Sequence, residues 1–294
     1  MNKIILRSIG GIGNQLFNYA AARRLAIKNN MELKIDHKSG FENDPYRRTY
    51  QLDNFNIKAN RATKGERFEP FSKIRRYLKR ELNKFRKFEN RTFICHEFIE
   101  YDKRLLSIES KRDMYFEGYW QSEKYFIDIE SIIREDLIIN VPIDNTNQKM
   151  REKIENSLSV AVHLRFFDNI NETTINNLSS NYYQKAIKKM KKMAPMAHYY
   201  IFSDQPELVN TTIDLTSDEM TIVSQNQEDE MAYADLWLMS GCRHFIIGNS
   251  TFSWWGAWLG EKKDTIVFSP GKSGTTTTVW GFDGLIPDRW EIIE

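Results

Sequence analysis

Short apolar segments alternate with helical segments through the second half of the chain, and this alternation constrains the fold more than any other feature. The apolar runs of strand length are residues 159–164, 199–203, 221–224, 244–248 and 265–269. The segments between them with helical periodicity are residues 182–193, 231–239 and 252–259. Repeated strand–helix units predict a parallel sheet covered by helices, with ligands bound beyond the carboxyl ends of the strands.

The beginning of the chain has the same kind of pattern. An apolar run at residues 4–9 precedes the glycine loop Gly10-Gly11-Ile12-Gly13, a helical stretch and a second strand at residues 32–36. This order predicts a nucleotide-binding α/β fold. Because 294 residues are enough for two domains, we place a boundary near Asn145, between an N-terminal domain (1–145) and a C-terminal domain (146–294).

A basic segment lies within the first domain, at residues 61–91. It contains twelve Lys or Arg and four Glu, whereas the whole chain has a net charge of +2. Its apolar residues at helical spacing are Phe71, Ile74, Leu78, Leu82 and Phe85. The pattern predicts an amphipathic basic helix, which suits peripheral contact with anionic lipid at the inner membrane face. The commoner alternative is that the apolar stripe packs on its own domain.

Composition argues against several other classes of protein. The nearly neutral net charge is not that of a nucleic-acid-binding protein. Cys95 and Cys242 lack the spacing of a disulfide framework or a zinc site, which indicates a reducing compartment. The apolar start of the chain is interrupted by Arg7 and is too short for a secretory signal or a membrane span. We therefore expect a cytoplasmic protein.

The strand at residues 159–164 is followed by polar groups in the sequence His163-Leu164-Arg165-Phe166-Phe167-Asp168. Since arginine keeps its charge and its planar guanidinium suits bidentate contact with phosphate, Arg165 is a candidate for neutralising a departing diphosphate. The alternative is a structural ion pair between Arg165 and Asp168.

Small polar residues also follow the strand at residues 244–248, where a helix is predicted to begin. They are Asn249, Ser250 and Thr251, before Phe252. Free backbone N–H groups and hydroxyls at a helix start bind anions, although Ser250 or Thr251 also suits a simple N-cap. We expect the tryptophans that follow to pack in the core rather than stack on a ligand: Trp254, Trp255 and Trp258.

Three further features leave alternatives open. The glycine loop and Asp36 are similar to a dinucleotide-binding fingerprint, but Leu16 stands at the third glycine position, so an NAD-dependent oxidoreductase is kept only as an alternative. Asp204 follows a strand and Asp235 lies in a helix. Each is a candidate for ligand contact or proton transfer, and the alternative for each is a cap or a solvated charge. No Asp-x-Asp metal motif stands out, so arginine and helix N-termini would have to stabilise a leaving diphosphate.

Together these motifs resemble the α-1,2-fucosyltransferases of glycosyltransferase family 11. The resemblance rests on the glycine loop through Phe17, on the H-x-R-x-x-D motif of His163 to Asp168 and on GNSTFSWWGAWL at residues 248–259. It implies a GT-B-like fold of two Rossmann-like domains, with the donor site in the C-terminal domain at the interdomain cleft. It also implies inverting transfer of fucose from GDP-β-L-fucose to the 2-hydroxyl of a galactose-containing glycan, in surface polysaccharide or O-antigen synthesis, without a metal or cofactor.

The resemblance also implies roles for individual residues. Arg165 would contact the β-phosphate. We expect Arg165 to act in catalysis with Asp168, and the candidates for the general base are Asp168, Asp204 and Asp235. The donor-binding residues would be Gly13, Asn14, His163, Arg165, Asp204, Asn249, Ser250, Thr251 and Phe252. Many family members read His-x-Arg-Arg-Gly-Asp, whereas Phe166 and Phe167 replace the second arginine and the glycine here, so one cation is missing.

The acceptor glycan is less well defined. First-domain loops at residues 41–60 and 116–121 carry aromatic residues that either stack on a sugar or pack in the domain. A non-catalytic glycan-binding protein remains a second alternative, although it would not need His163 and Arg165 at the end of a strand.

Overall fold

The computed structural model describes residues 1–167, 177–275 and 278–294. The chain divides into two compact units, Met1–Asn140 and Val141–Glu294. The boundary predicted near Asn145 falls at the first helix of the second unit. The assignment of separate functional roles to the two halves stays a proposal.

The first unit is built on a parallel sheet. Its strands are β1 Lys3–Arg7, β2 Glu32–Asp36, β3 Asn60–Arg61, β4 Phe93–Cys95 and β5 Met114–Glu117. Its α-helices are α1 Ile12–Lys28, α2 Ser72–Lys84, α3 Arg104–Ser107 and α4 Glu130–Asp136. The strand order is β3-β2-β1-β5-β4, and every neighbouring pair is parallel. The predicted opening of strand, glycine loop, helix and strand is therefore present.

The second unit contains a larger parallel sheet. Its strands are β6 Ser159–Leu164, β7 His198–Ser203, β8 Met220–Val223, β9 His244–Ile246, β10 Val267–Pro270, β11 Ser273–Thr275, β12 Thr278–Trp280 and β13 Glu291–Ile293. Its α-helices in the described ranges are α5 Asn145–Glu155, α6 Ser180–Met193, α7 Val209–Thr212, α8 Ala232–Met239 and α9 Thr251–Gly260. The order β13-β10-β9-β6-β7-β8 places β6 near the middle, and β11 and β12 form a separate antiparallel pair.

The second-unit core forms where the sequence predicted it. All six residues of β6 are buried, as expected of a strand covered on both faces. Trp254, Trp255 and Trp258 are fully buried, which confirms that they pack rather than stack on a ligand. The indole N–H of Trp254 donates to the Leu285 carbonyl at 2.9 Å, so its polar atom is satisfied inside the core.

The glycine loop is held by a buried side chain. Gly10 has φ +75°, a conformation that favours glycine, and α1 begins two residues later. Gln15 is fully buried and donates to the carbonyls of Gly10 and Thr49 at 2.9 and 2.8 Å. It also accepts the Gln51 backbone N–H at 2.9 Å. Gln15 therefore ties the segment around residue 50 to the glycine turn.

Asp36 has a structural role. Its carboxylate is fully buried and accepts the backbone N–H groups of Lys38 and Ser39. It also accepts the hydroxyls of Ser39 at 2.6 Å and Tyr115 at 3.2 Å. Because these contacts occupy both carboxylate oxygens inside the unit, Asp36 does not fit the ribose contact that the NAD-dependent alternative required.

Gly40→Ala is expected to destabilise the protein by about 3 kcal/mol, because overpacking that moves backbone is costly. A Cβ at Gly40 would lie 1.8 Å from the Ser8 carbonyl oxygen. Urea unfolding measures the effect. Gly65→Ala is the matched control, since no atom of the described part of the chain lies within 4 Å of its added Cβ. Equal unfolding free energies for the two variants would contradict the prediction.

The basic helix is present as α2, but its apolar side faces solvent, whereas the commoner alternative predicted that this side packs on the domain. The apolar stripe of Phe71, Ile74, Leu78, Leu82 and Phe85 is exposed, whereas the residues that α2 buries are Arg76 and Asn83. The expectation that the stripe packs on its own domain was therefore wrong. The physical reason is a polar anchor, since Asn83 Oδ1 accepts the backbone N–H groups of Thr92 and Phe93 at 2.8 and 3.2 Å.

Both cysteines are free thiols. They are Cys95 and Cys242, for which the sequence predicted no disulfide framework. Across the described residues, none of the helices combines the length and the apolar character needed to cross a bilayer.

Candidate active site

Apart from Asp168, which lies outside the described residues, the predicted site residues of the second unit lie at the carboxyl edge of its sheet. Strands β9, β6 and β7 are adjacent and parallel, so the residues after them share one edge. Arg165 follows β6, Asp204 follows β7, and the segment 248–252 leads from β9 into α9. The sequence predicted this convergence, because strand ends in a parallel sheet align.

His163 is the most deeply buried ionisable side chain of this group, with 6% of its surface exposed. Burial, reinforced by the charge of Arg165, lowers its pKa to about 3, so the imidazole is neutral at pH 7. Its ring centroid lies 5.3 Å from that of Phe252. In the described part of the chain, its Nδ1 atom is buried and has no hydrogen-bond partner. A buried polar atom without a partner is rare in proteins, and a functional role is one explanation for it.

The backbone around His163 is closely packed. The Tyr183 hydroxyl donates to the His163 carbonyl at 3.1 Å. A Cβ added at Gly248 would lie 2.9 Å from that carbonyl oxygen and 3.2 Å from Nδ1 of the ring. Gly248 therefore leaves the space that lets β6 and the loop before α9 approach each other. Sequence reasoning did not single out Gly248 or Tyr183 as supports of His163.

Arg165 forms an ion pair with Asp204. Its Nη1 contacts Asp204 Oδ2, and each side chain is about a quarter exposed. Asp204 Oδ1 also accepts the Phe166 backbone N–H at 2.9 Å, so the carboxylate is fixed to the loop after β6. The guanidinium carbon lies 5.4 Å from the centroid of the Phe167 ring. The alternative ion pair with Asp168 is not tested, because Asp168 lies outside the described residues.

The start of α9 is capped by Ser250. Its hydroxyl accepts the Phe252 backbone N–H at 3.3 Å, which is the ordinary N-cap role. Asn249 is buried, and Thr251 and Phe252 are half-buried. The first turn of α9 contains no acidic residue, so the helix itself supplies no carboxylate to the positive end of its dipole.

Asp235 lies farther along the same edge, on α8, which follows β8. Desolvation raises its pKa to about 7, although the Asn226 amide donates to its Oδ1 at 2.7 Å. Asn226 in turn exchanges hydrogen bonds with the buried Asn147 at 2.8 and 2.9 Å. The sequence identified Asp235 as a candidate but gave no signal for this amide network, because isolated Asn residues have no characteristic spacing.

Asp235→Asn is expected to stabilise the protein more at pH 8 than at pH 5. The raised folded-state pKa means that stability from the protonated carboxyl is present at low pH and is lost as the pH rises toward about 7. The side-chain amide introduced by the substitution does not ionise, so the variant does not lose stability in this way. Urea unfolding at both pH values measures the difference, with the exposed Asp214→Asn as control. The same change in unfolding free energy at both pH values would contradict the prediction.

The first unit places its own polar residues around the glycine loop. Gly13 is buried in the first turn of α1, and Asn14 Oδ1 accepts the Gln121 side-chain N–H at 2.7 Å. Gly11 caps the helix without a side-chain hydrogen bond. A Cβ at Gly11 would lie 3.6 Å from the guanidinium carbon of Arg48. Arg48 is therefore a cation beside the glycine loop that sequence reasoning missed.

A cavity of about 510 Å³ lies in the first unit, where β1, β4 and β5 end beside α2. Charged side chains that line it include Arg7, Arg80, Lys84, Arg91, Glu97 and Glu117. Its volume suits a small ligand such as one or two sugar rings.

The nearby segment 116–121 mostly packs, since Trp120 is buried and stacks on Phe116 with ring centroids 5.0 Å apart. Tyr119 is 38% exposed.

The carboxyl edge of the second sheet carries the Arg165–Asp204 ion pair and the N-terminus of α9. In the described ranges, no group of three or more His, Cys, Asp or Glu side chains is arranged to hold a metal ion.

Two parallel-sheet α/β units, with polar residues at the carboxyl edges of the strands, agree with the predicted GT-B-like architecture. The family model of glycosyl transferase family 11 matches residues 10–274, and the chain belongs to this family. It is therefore a glycosyltransferase, which confirms the predicted family and enzyme class.

Similar proteins agree with this assignment. The chain is 29% identical to an alpha-1,2-colitosyltransferase of Escherichia coli, over 100% of both proteins. It is also 29% identical to the O-antigen biosynthesis glycosyltransferase WbnK of Escherichia coli, over 90% of this chain and 92% of that protein.

Two solved structures share the fold. The alpha-1,6-fucosyltransferase NodZ co-crystallised with GDP is 15% identical, covers 88% of this chain and 92% of its own, and has a TM-score of 0.54. A variant of Arabidopsis thaliana FUT1 in complex with GDP is 11% identical, covers 97% of this chain and 74% of its own, and also has a TM-score of 0.54. These similarities confirm the predicted GT-B-like fold.

Proposed function

We propose that this glycosyltransferase transfers L-fucose from GDP-β-L-fucose to the 2-hydroxyl of a galactose-containing glycan, with inversion and without a metal ion, in O-antigen or surface polysaccharide synthesis. The observation that carries the proposal is Arg165, held by Asp204 beside the buried His163 and the start of α9. The α-1,2 linkage is supported by the relative that aligns over the whole chain, an alpha-1,2-colitosyltransferase.

The donor diphosphate would lie against Arg165 and the N-terminus of α9. The guanidinium is fixed by Asp204 before substrate arrives, so it need not reorganise as negative charge develops on the leaving GDP. Ser250 and Thr251 present the start of α9 to the same charge, and Asn249, Phe252 and the neutral His163 would border the nucleotide.

The first unit would supply the acceptor side. We propose that Gly13 and Asn14 approach the transferred sugar, with Asn14 oriented by Gln121. The acceptor galactoside would occupy the cavity beside β5, where both charged and uncharged polar groups are available to bind hydroxyls. The donor would then lie at the carboxyl edge of the sheet in the C-terminal domain.

The general base needs a carboxylate able to accept the proton of the acceptor hydroxyl. Asp204 is engaged by Arg165, which argues against it. We propose Asp168 as the catalytic partner of Arg165. Asp235, whose pKa of about 7 suits proton transfer at neutral pH, is the second candidate. A loss of kcat in Asp168→Asn with near-normal kcat in Asp235→Asn would support Asp168, and the reverse result would favour Asp235.

A second candidate donor is GDP-colitose. Colitose is fucose without the 3-hydroxyl, and the relative that aligns over the whole chain is a colitosyltransferase. The two donors share the GDP group and differ only at the sugar. Comparison of kcat/KM for both therefore decides between them.

The decisive experiment measures GDP release in EDTA from each donor, with and without lactose or N-acetyllactosamine. Acceptor-stimulated release is expected, and NMR of the product should show an α-1,2 linkage. No release with any acceptor, or a requirement for added metal, would contradict the proposal. GDP binding without any transfer would instead favour a non-catalytic binding protein.

A further inference from the structure

We propose that α2 binds the surface of an anionic lipid bilayer through its outer face, which consists of Phe71, Ile74, Tyr77, Leu78, Leu82 and Phe85. This inference concerns membrane attachment rather than sugar transfer. It stands on the structure of the first unit alone and does not depend on the identity of the donor.

The outer face is apolar and open to solvent. Its six side chains are between 53% and 90% exposed, and they lie on one helix and the residues at its two ends. Other exposed apolar side chains, such as Ile143 and Met196, are distributed along the chain instead of forming a helical stripe. A contiguous exposed patch of this kind marks an interaction surface.

The outward orientation of this face is fixed by polar contacts on the opposite side of the helix. Arg76 and Asn83 are only 8% and 7% exposed. Asn83 accepts two backbone N–H groups at the start of β4 and donates to the Lys79 carbonyl at 2.8 Å. Rotating α2 to bury its apolar side would break these bonds and leave buried polar groups unpaired.

The charge around the outer face complements an anionic surface. Exposed cations on the helix and just after it are Lys73, Arg75, Lys79, Lys84, Arg86 and Lys87. The single carboxylate within α2, Glu81, is paired with Lys84 at 2.8 Å and Arg80 at 3.6 Å. Apolar side chains bordered by Lys and Arg are typical of helices that lie in the interface of a bilayer.

The same charges argue against self-association. A second copy of the chain would bring an equal set of cations against the first, which is unfavourable. Each Lys or Arg near an anionic lipid surface instead strengthens binding about fivefold. The bilayer is therefore the occupant that satisfies both the apolar and the cationic parts of this surface.

The test is flotation of the full chain with vesicles of phosphatidylcholine alone or mixed with phosphatidylglycerol. We expect binding to the mixed vesicles at low salt, at least tenfold weaker binding to the neutral ones, and partial release at high salt. The triple variant Ile74→Ser, Leu78→Ser and Leu82→Ser should reduce binding to mixed vesicles at least tenfold. Because these residues are exposed, the variant should unfold at the same urea concentration as the parent protein.

The matched control replaces three apolar residues elsewhere that are exposed to a similar or greater extent, Ile138→Ser, Ile143→Ser and Met196→Ser, and should leave vesicle binding unchanged. No flotation with mixed vesicles at low salt would overturn the proposal, as would equal binding by the two triple variants. Light scattering would also overturn it if it showed a dimer that the α2 variant abolishes, in the absence of lipid binding. Since no donor is present, failure here leaves the proposed sugar transfer unaffected.

Discussion

Arg165→Ala is expected to lower kcat for sugar transfer by about 10²-fold or more, the loss typical of removing one preorganised group that stabilises transition-state charge. The physical reason is that Arg165 is held by Asp204 at the strand end where the diphosphate would leave. Steady-state GDP release with saturating acceptor measures the effect. KM for the donor should rise less than kcat falls, because the charge on GDP grows as the bond breaks.

Two conservative variants separate charge from geometry. Arg165→Lys keeps the charge but loses the planar fork, and it should recover only part of the lost activity. Asp204→Asn removes the carboxylate that positions the guanidinium, and we expect a smaller loss of kcat than in Arg165→Ala. Near-normal turnover in Arg165→Ala, with unfolding unchanged, would refute the catalytic role of Arg165.

Gly248→Ala is expected to reduce kcat by roughly 10²-fold, since small displacements of catalytic groups have effects of this size. The added Cβ would lie 2.9 Å from the His163 carbonyl oxygen, a backbone atom, and 3.2 Å from the imidazole Nδ1. Relief of this contact must move either the end of β6, which contains His163 and leads into Arg165, or the loop that leads into α9. We therefore expect kcat to fall and the affinity for GDP to decrease in the same variant.

Gly271→Ala is the matched control in the same unit, because among the described residues its added Cβ would meet only the Ile292 side chain, at 3.4 Å. It should retain kcat and GDP affinity. The interpretation would be wrong if Gly248→Ala kept full activity, or if both variants lost activity equally.

Local patterns predicted the elements of the fold well. The strand predicted at residues 159–164 is observed as β6 with the same bounds, and the helix predicted at residues 252–259 is α9, Thr251–Gly260. Such segments can be recognised because a strand that is buried on both faces has a continuous apolar run. A helix that is buried on one face has apolar residues at helical spacing. The edge at which Arg165 and Asp204 meet followed from the parallel arrangement of their strands.

Pairings between distant residues were not predictable in the same way. Arg165 pairs with Asp204, which is distant in sequence, whereas spacing pointed only to the nearby Asp168, whose pairing stays untested. The orientation of α2 also escaped prediction, because periodicity identifies an apolar side of a helix but not what that side faces. The bonds from Asn83 to the start of β4 determine the orientation, and they depend on tertiary structure.

The two sides of α2 have a consequence for how the enzyme would encounter its acceptor. Arg80, Asn83 and Lys84 of this helix line the cavity, while its apolar residues face away from the unit. With that apolar side resting on lipid, the cavity would lie within about one helix diameter of the bilayer. A glycan anchored in the same bilayer would then reach the enzyme by lateral diffusion, and its surface density rather than its bulk concentration would set the rate of encounter.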